Sequence, residues 1–218
     1  KSAVLLAGIQ ADGETVVKEI MPSRDHTERL IRLFGGNITW SDNTVKVERS
    51  TLVFPESFYI PGDPSSAAFF LSAATIIRGS EVTAEGMLLN ATRTGFVAVL
   101  KRMGAELDIA PAEEAAEPWG RVVARYSPHL VGCEVHAEEI PSLVDEVPIL
   151  ALVATQASGR TVFHGVGELR VKESDRLAAV ASQLGLMGAN IVAEEDSLII
   201  EGRSEEHTSE LQSRLHLV

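Results

Sequence analysis

Four stretches of this chain carry side chains of the kinds that bind anions and move protons. The first is Ser23-Arg24-Asp25-His26-Thr27-Glu28-Arg29. Ser23 suits an N-cap, and Arg24, just inside the helix it opens, would add a guanidinium to free amides, making an anion site. A capped surface helix with a solvated arginine fits the same residues. The second is Gly62-Asp63-Pro64-Ser65-Ser66, where Asp63 suits a cap, Pro64 the first helical position, and the serines supply further donors. Capping explains most of this cluster without any ligand. The third, PSLVDEVP, places Asp145 and Glu146 ahead of an apolar helix expected over Val147 to Ala157. One acid suffices for a cap, so the second is surplus, and a carboxylate at an apolar helix mouth is a candidate general base. A double acid favouring the helix dipole is the plain alternative. The fourth, ELRVKESDRL, runs from Glu168 to Leu177. On a helix, Lys172 and Arg176 would share a face, as would Glu173 and Arg176. Two cations with an acid between them can hold a phosphate or carboxylate and offer a proton-transfer group. Such a run is ordinarily a salt-bridged solvent face, but the apolar LAAVASQLGL downstream predicts a well-packed helix.

These clusters sit at helix starts, and the helices belong to a repeat. Three segments, SAVLLAGIQADGETVV, SSAAFFLSAATIIRGSEVT and VPILALVATQASGRTVF, each read as an Ala/Leu-rich helix, a glycine and a short β-branched strand. Gly13, Gly79 and Gly159 occupy the same place, where a left-handed residue ends the helix. A second helix follows in each copy and closes with FGGNI, MGAEL or MGANI, so Gly35, Gly104 and Gly188 end those helices. A strand pair comes next; the last is Asn190–Ala193 and Leu198–Glu201 around a turn at Glu195-Asp196. The unit is therefore helix, strand, helix, two strands, with the first glycines 66 and then 80 residues apart. The longer interval is assigned to a loop insertion in the acidic stretch Ala110–Glu117. Alternating helices and strands predict an α/β fold, and the repeat length matches no common solenoid.

Composition bounds what the site can serve. The 218 residues are 45% hydrophobic and 23% charged, a globular balance, and only 5% aromatic, so the core is aliphatic. With 31 acidic against 19 basic residues the net charge is -12, which disfavours nucleic acid as a partner. A lone Cys133 excludes a disulfide framework and a cysteine-based zinc site, and favours a reducing compartment. No apolar run approaches the roughly 18 residues that span a bilayer. The chain opens at Lys1-Ser2 inside an apolar pattern with neither initiator Met nor signal peptide, which predicts a fragment. From Arg203 the run RSEEHTSELQS resembles the in-frame translation of a sequencing-library adapter. The alternative is a charged helix with Glu206, Glu210 and Arg214 at helical spacing. Residues 203–218 are accordingly set apart from the functional reading, and His207 and His216 carry no metal argument.

The phrases GDPSSAAFF, NATRTG, PSLVDEVPIL, ELRVKESDRL and SRDHTER resemble the 5-enolpyruvylshikimate-3-phosphate synthase family, from Lys1 to about Gly202. ELRVKESDRL is the most specific, and KSAVLLAG resembles the sequence that follows the family's Ser-Ala-Gln motif. The resemblance implies an α/β enolpyruvyltransferase-type fold of two similar domains, each with three βαβαββ units around buried helices. Residues 1–61 would end the N-terminal domain, a hinge would fall near Pro61-Gly62, and residues 62–202 would form most of the C-terminal domain. Substrates in this family lie in a cleft that closes and excludes water.

The implied reaction moves the enolpyruvyl group of phosphoenolpyruvate to the 5-hydroxyl of shikimate 3-phosphate and releases phosphate. By similarity Asp145 would be the base at the shikimate hydroxyl and Glu173 the proton-transfer partner at phosphoenolpyruvate. Lys172 and Arg24 would bind shikimate 3-phosphate, and Arg176 phosphoenolpyruvate. The resemblance implies no metal or organic cofactor, no nucleic acid or membrane partner, a monomer, and a cytoplasmic location. It raises glyphosate as an inhibitor, with loops nearer the tolerant bacterial form. The family's Asn-Ala-Gly-Thr, Ser-Ala-Gln and Gly-Asp-His-Arg motifs do not occur in this sequence, nor does its N-terminal Lys-Ser pair, since Lys1-Ser2 belongs to the KSAVLLAG phrase. That predicts a chain that is catalytically dead and poorly stable alone. One alternative is the enolpyruvyltransferase acting on UDP-N-acetylglucosamine, but it carries a catalytic cysteine in a flexible loop. Cys133 lies in strand-like HLVGCEVHA, which predicts a buried, inert thiol. The other alternative, a non-catalytic repeat-built binding remnant, has no need for intact Asp145, Lys172, Glu173 and Arg176.

Overall fold

A computed structural model describes residues 1–112 and 116–203. The repeat is present three times. The first unit is α1 (Ser2–Gly8), β1 (Glu14–Lys18), α2 (His26–Leu33), β2 (Ile38–Ser41) and β3 (Thr44–Glu48). The second is α3 (Pro64–Ile76), β4 (Glu81–Leu88), α4 (Gly95–Arg102), β5 (Glu106–Pro111) and β6 (Trp119–Arg125). Before the third comes a short strand, β7 (Glu134–Val135); the unit itself is α5 (Val147–Ala154), β8 (Arg160–His164), α6 (Arg176–Leu186), β9 (Asn190–Ala193) and β10 (Ser197–Glu201).

The sheets repeat as faithfully as the order does. In every unit the last strand of the hairpin lies between its partner and the strand that follows the first helix: β1-β3-β2, β4-β6-β5 and β8-β10-β9. All these pairings are antiparallel, and β7 adds one parallel strand to the outer edge of β8.

The second helix of each unit stops for a local reason. Gly35, Gly104 and Gly188 stand at φ of 82°, 89° and 92°, a region costly for residues with a Cβ. In the first unit Gly35 N–H donates to Arg32 O and Gly36 N–H to Ile31 O, and the equivalent pairs close α4 and α6. These are paired Schellman bonds that satisfy the last helical carbonyls before the hairpin. Gly13, Gly79 and Gly159 are also left-handed, but they sit in the turn before the strand. The helices themselves end earlier, at Gly8, Ile76 and Ala154. The acidic stretch is divided likewise: Ala110 and Pro111 belong to β5, paired with Arg121 and Gly120, and the loop starts only at Ala112.

Asp63 caps α3, accepting from the backbone N–H of Ser65 (3.3 Å) and Ser66 (2.9 Å), with Pro64 in the first turn. Replacing Asp63 by Ala is expected to lower stability by about 1 kcal/mol, read as a shift in urea midpoint at constant slope.

Two apolar clusters form. The smaller gathers Leu5, Ile9, Ile31, Ile38, Val45 and Val47 from the first unit. The larger unites the second and third units around α3 and α5. Helix α5 is buried almost all round, as its unbroken apolar sequence requires. Helix α6 departs from the well-packed helix expected of LAAVASQLGL: Leu177 is its one buried residue, and Leu186 and Met187 stand in solvent. It rests on α5, β9 and the turn at Gly167–Val171, with Val180, Ala181 and Leu184 partly buried against the core. Among the described residues no helix is long and apolar enough to cross a membrane. The set-apart tail lies outside the described residues except for Arg203, whose N–H donates to Ala157 O.

Candidate active site

Arg24 reaches the site from the loop between β1 and α2. Helix α2 begins at His26, so Ser23 is not its cap and Arg24 precedes it. Asp25 stands at the N-cap position without capping, because its carboxylate is already taken by Arg29 Nε (2.9 Å) and Asn90 Nδ2 (2.6 Å). Ser23 gives its hydroxyl to Glu19 instead. Lys1 Nζ fastens the loop from below, pairing with Glu19 at 3.0 Å and with the buried Glu28 at 2.7 Å. The loop is held at both ends, and the Arg24 guanidinium extends from it.

Its target is Asp145, on a single 3-10 turn (Val144–Glu146) that leads into α5. Arg24 Nη2 lies 2.7 Å from Asp145 Oδ2. Arg176, the first residue of α6, approaches the other oxygen, Nη1 to Oδ1, at 3.5 Å, and its Nη2 sits 2.7 Å from Glu173 Oε2. Arg176 therefore bridges the two acids, and Asp145 holds a guanidinium on each side.

Lys172 and Glu173 do not share a helix face with Arg176, because α6 starts only at Arg176. A 3-10 turn (Gly167–Val171) ends at an extended Lys172, the chain bends through Ser174, and Asp175 takes the cap, accepting from Ala178 N–H at 2.8 Å. The cause is local competition: the Asp175 carboxylate, which also meets Arg170 Nη1 at 3.0 Å, caps α6 and displaces continued helix upstream. Glu173 still meets Arg176 across the bend. Lys172 Nζ binds Glu168 and stands near Asp145 without touching it.

The surroundings tune these acids differently. Burial alone would raise the Asp145 carboxyl; the Arg24 hydrogen bond and the charges of Arg24, Lys172 and Arg176 outweigh it and hold it below its ordinary value. Glu173 is lowered by its own backbone N–H, then by Arg176. Glu146 is raised, chiefly by burial. A carboxylate clamped between guanidiniums is a weak base. An incoming phosphate or carboxylate that takes those guanidiniums removes the clamp and raises the basicity of Asp145 where the ligand arrives.

The geometry brings Arg24, Asp145, Glu173 and Arg176 into one chain of contacts, with Lys172 at its edge. Sequence reasoning missed two supporting groups. Asn90, 1% exposed, donates to Asp25 and to Glu117, and Glu117 also meets His26 Nδ1 at 2.6 Å. Arg93 joins Asp63 (2.9 Å) to the hydroxyl of Ser65 (2.8 Å). Both Asn90 and Arg93 lie in NATRTG, a phrase whose polar density was the available signal. Cys133 is half-buried and its thiol is raised by that burial, in line with an inert residue.

Repeated units of this topology define the enolpyruvyl transferase fold. The enolpyruvyl transferase NikO from Streptomyces tendae superposes with a TM-score of 0.70 at 18% identity, over 91% of this chain and 44% of that one. The EPSP synthase of Acinetobacter baumannii superposes with a TM-score of 0.87 at 40% identity, over 94% of this chain and 46% of its own. The chain belongs to the EPSP synthase (3-phosphoshikimate 1-carboxyvinyltransferase) family, whose model matches residues 1–215. It is 46% identical to the 3-phosphoshikimate 1-carboxyvinyltransferases of Leuconostoc mesenteroides, over 96% of its length, and Bacillus licheniformis, over 94%. It spans about half, 48%, of each of these relatives.

Proposed function

We propose that the enzyme carrying this segment transfers the enolpyruvyl group of phosphoenolpyruvate to the 5-hydroxyl of shikimate 3-phosphate and releases phosphate. The observation that carries the reading is Asp145 between Arg24 and Arg176, with Glu173 on the far side of Arg176. Arg24 takes the phosphate of shikimate 3-phosphate, with Lys172 beside it, and Arg176 takes phosphoenolpyruvate. Asp145, relieved of its partners, accepts the hydroxyl proton as the oxygen bonds to C2 of phosphoenolpyruvate. The methylene carbon gains a proton, giving a tetrahedral intermediate. Glu173 serves proton transfer at that carbon; loss of the proton and cleavage of the C2–O bond then expel phosphate. Each acid is placed beside a cation that can stabilise charge as it develops.

Under this reading residues 1–61 end one domain, residues 62–202 form most of the second, and residues 203–218 stand apart from both. The two apolar clusters support a division there. Glyphosate, carrying a phosphonate and a carboxylate, would compete at Arg176. The enzyme would act as a cytoplasmic monomer.

The test is phosphate release from the two substrates in the full-length enzyme. Replacing Arg24 by Ala is expected to raise KM for shikimate 3-phosphate about 10- to 100-fold, the weight of one charged hydrogen bond, with KM for phosphoenolpyruvate little changed. Equal effects on both substrates would remove Arg24 from the phosphate site. This chain alone is expected to release no phosphate.

A further inference from the structure

Glu146 is the neighbour of Asp145, yet its surroundings are opposite. Successive residues of a 3-10 turn project about 120° apart, so aiming Asp145 at the arginines turns Glu146 inward. It is 2% exposed, and its carboxyl meets the hydroxyl of Ser65 on the first turn of α3. That hydroxyl also accepts from Arg93, which is itself held by the α3 cap, Asp63. Glu146 therefore does not cap α5. Instead it joins three elements: the turn before α5, the start of α3 and the loop between β4 and α4.

We propose that Glu146 is a positioning residue for Asp145, a buried acid that pins the Asp145 turn to α3 through Ser65. The inference rests on Asp145 as the base of the proposed reaction. The charged groups that bear on Glu146 are Asp145 on its own turn, Arg93 from the β4–α4 loop and Arg24 from the β1–α2 loop. Arg93 is already matched by Asp63, and Arg24 by Asp145. Burial raises the Glu146 carboxyl, and the Ser65 hydroxyl that donates to it pulls the other way.

The experiment compares kcat and KM for the full-length enzyme and its E146Q, E146A, S65A and D145N variants, with thermal unfolding as a control for folding. E146Q keeps an oxygen of the same reach that can accept from Ser65, and it is expected to retain kcat within about threefold. E146A is expected to lose about tenfold or more in kcat with KM little changed, since a small misplacement of a base is costly. Wild-type kcat in a folded E146A, or in S65A where E146A does not fold, overturns the proposal. Wild-type turnover by D145N overturns the underlying assignment of the base instead, so the two failures are distinguishable.

Discussion

Replacing Asp145 by Asn in the full-length enzyme is expected to lower kcat by about 10²- to 10⁴-fold, the usual weight of a positioned base. Asparagine preserves the shape of the side chain and cannot accept the hydroxyl proton. The effect on KM should run the other way. In the free protein Asp145 occupies Arg24 at 2.7 Å and Arg176 at 3.5 Å, so substrate anions must displace it. The neutral amide competes poorly for guanidinium, and KM for shikimate 3-phosphate should stay level or fall. A lower kcat with an unchanged or lower KM marks an interaction that matters in the transition state and strains the ground state. Steady-state phosphate release at saturating substrates reads both quantities. A kcat within threefold of wild type would show that another group takes the proton.

The second large effect concerns the core. Phe163 is fully buried on β8, opposite Leu198 on β10 and Val135 on β7. It belongs to the larger apolar cluster, together with buried residues of α5 and Leu177 of α6. Truncating it to Ala is expected to cost about 3–5 kcal/mol, through lost burial and the cavity left behind. A typical domain has about 5–15 kcal/mol in all, so the variant should unfold at far lower urea. Phe70 supplies the contrast. It lies on α3 but is 68% exposed, and its replacement by Ala in this chain should shift stability by no more than about 0.5 kcal/mol. Equal losses for the two would contradict the packing described. Reading both midpoints in the same buffer, with unchanged slopes, separates a stability change from a change in the unfolded chain.

Much of the fold was legible in the residues because its signals are local. The glycines at 35, 104 and 188 end helices through bonds spanning five residues or fewer, and Asp63 caps α3 through amides two and three residues on. Such signals act within the length of chain a reader scans, so the threefold helix-strand-helix-hairpin order could be counted without coordinates. The site residues were legible as types: two arginines, a lysine and two carboxylates at helix starts announce anions and protons. Their helical placement was not. The register of Lys172 and Glu173 turned on whether Asp175 or an earlier residue takes the cap, and Ser174 and Asp175 both suit a cap by type.

The amino-acid sequence by itself determined the repeat, the aliphatic core, the acidic surface and the candidates for chemistry, because periodicity, turns and caps depend on near neighbours. Only the tertiary structure decided which candidates meet. Arg24 and Asp145 are 121 residues apart along the chain, and their 2.7 Å contact exists because one loop is fastened by Lys1 and Glu28 while the other is pinned by Ser65. The same packing separated two adjacent acids, sending Asp145 to the guanidiniums and Glu146 into the interior. Burial and charge acting over a few ångströms then gave these neighbours opposite shifts in basicity, a difference set by which other parts of the chain the fold brings beside each one.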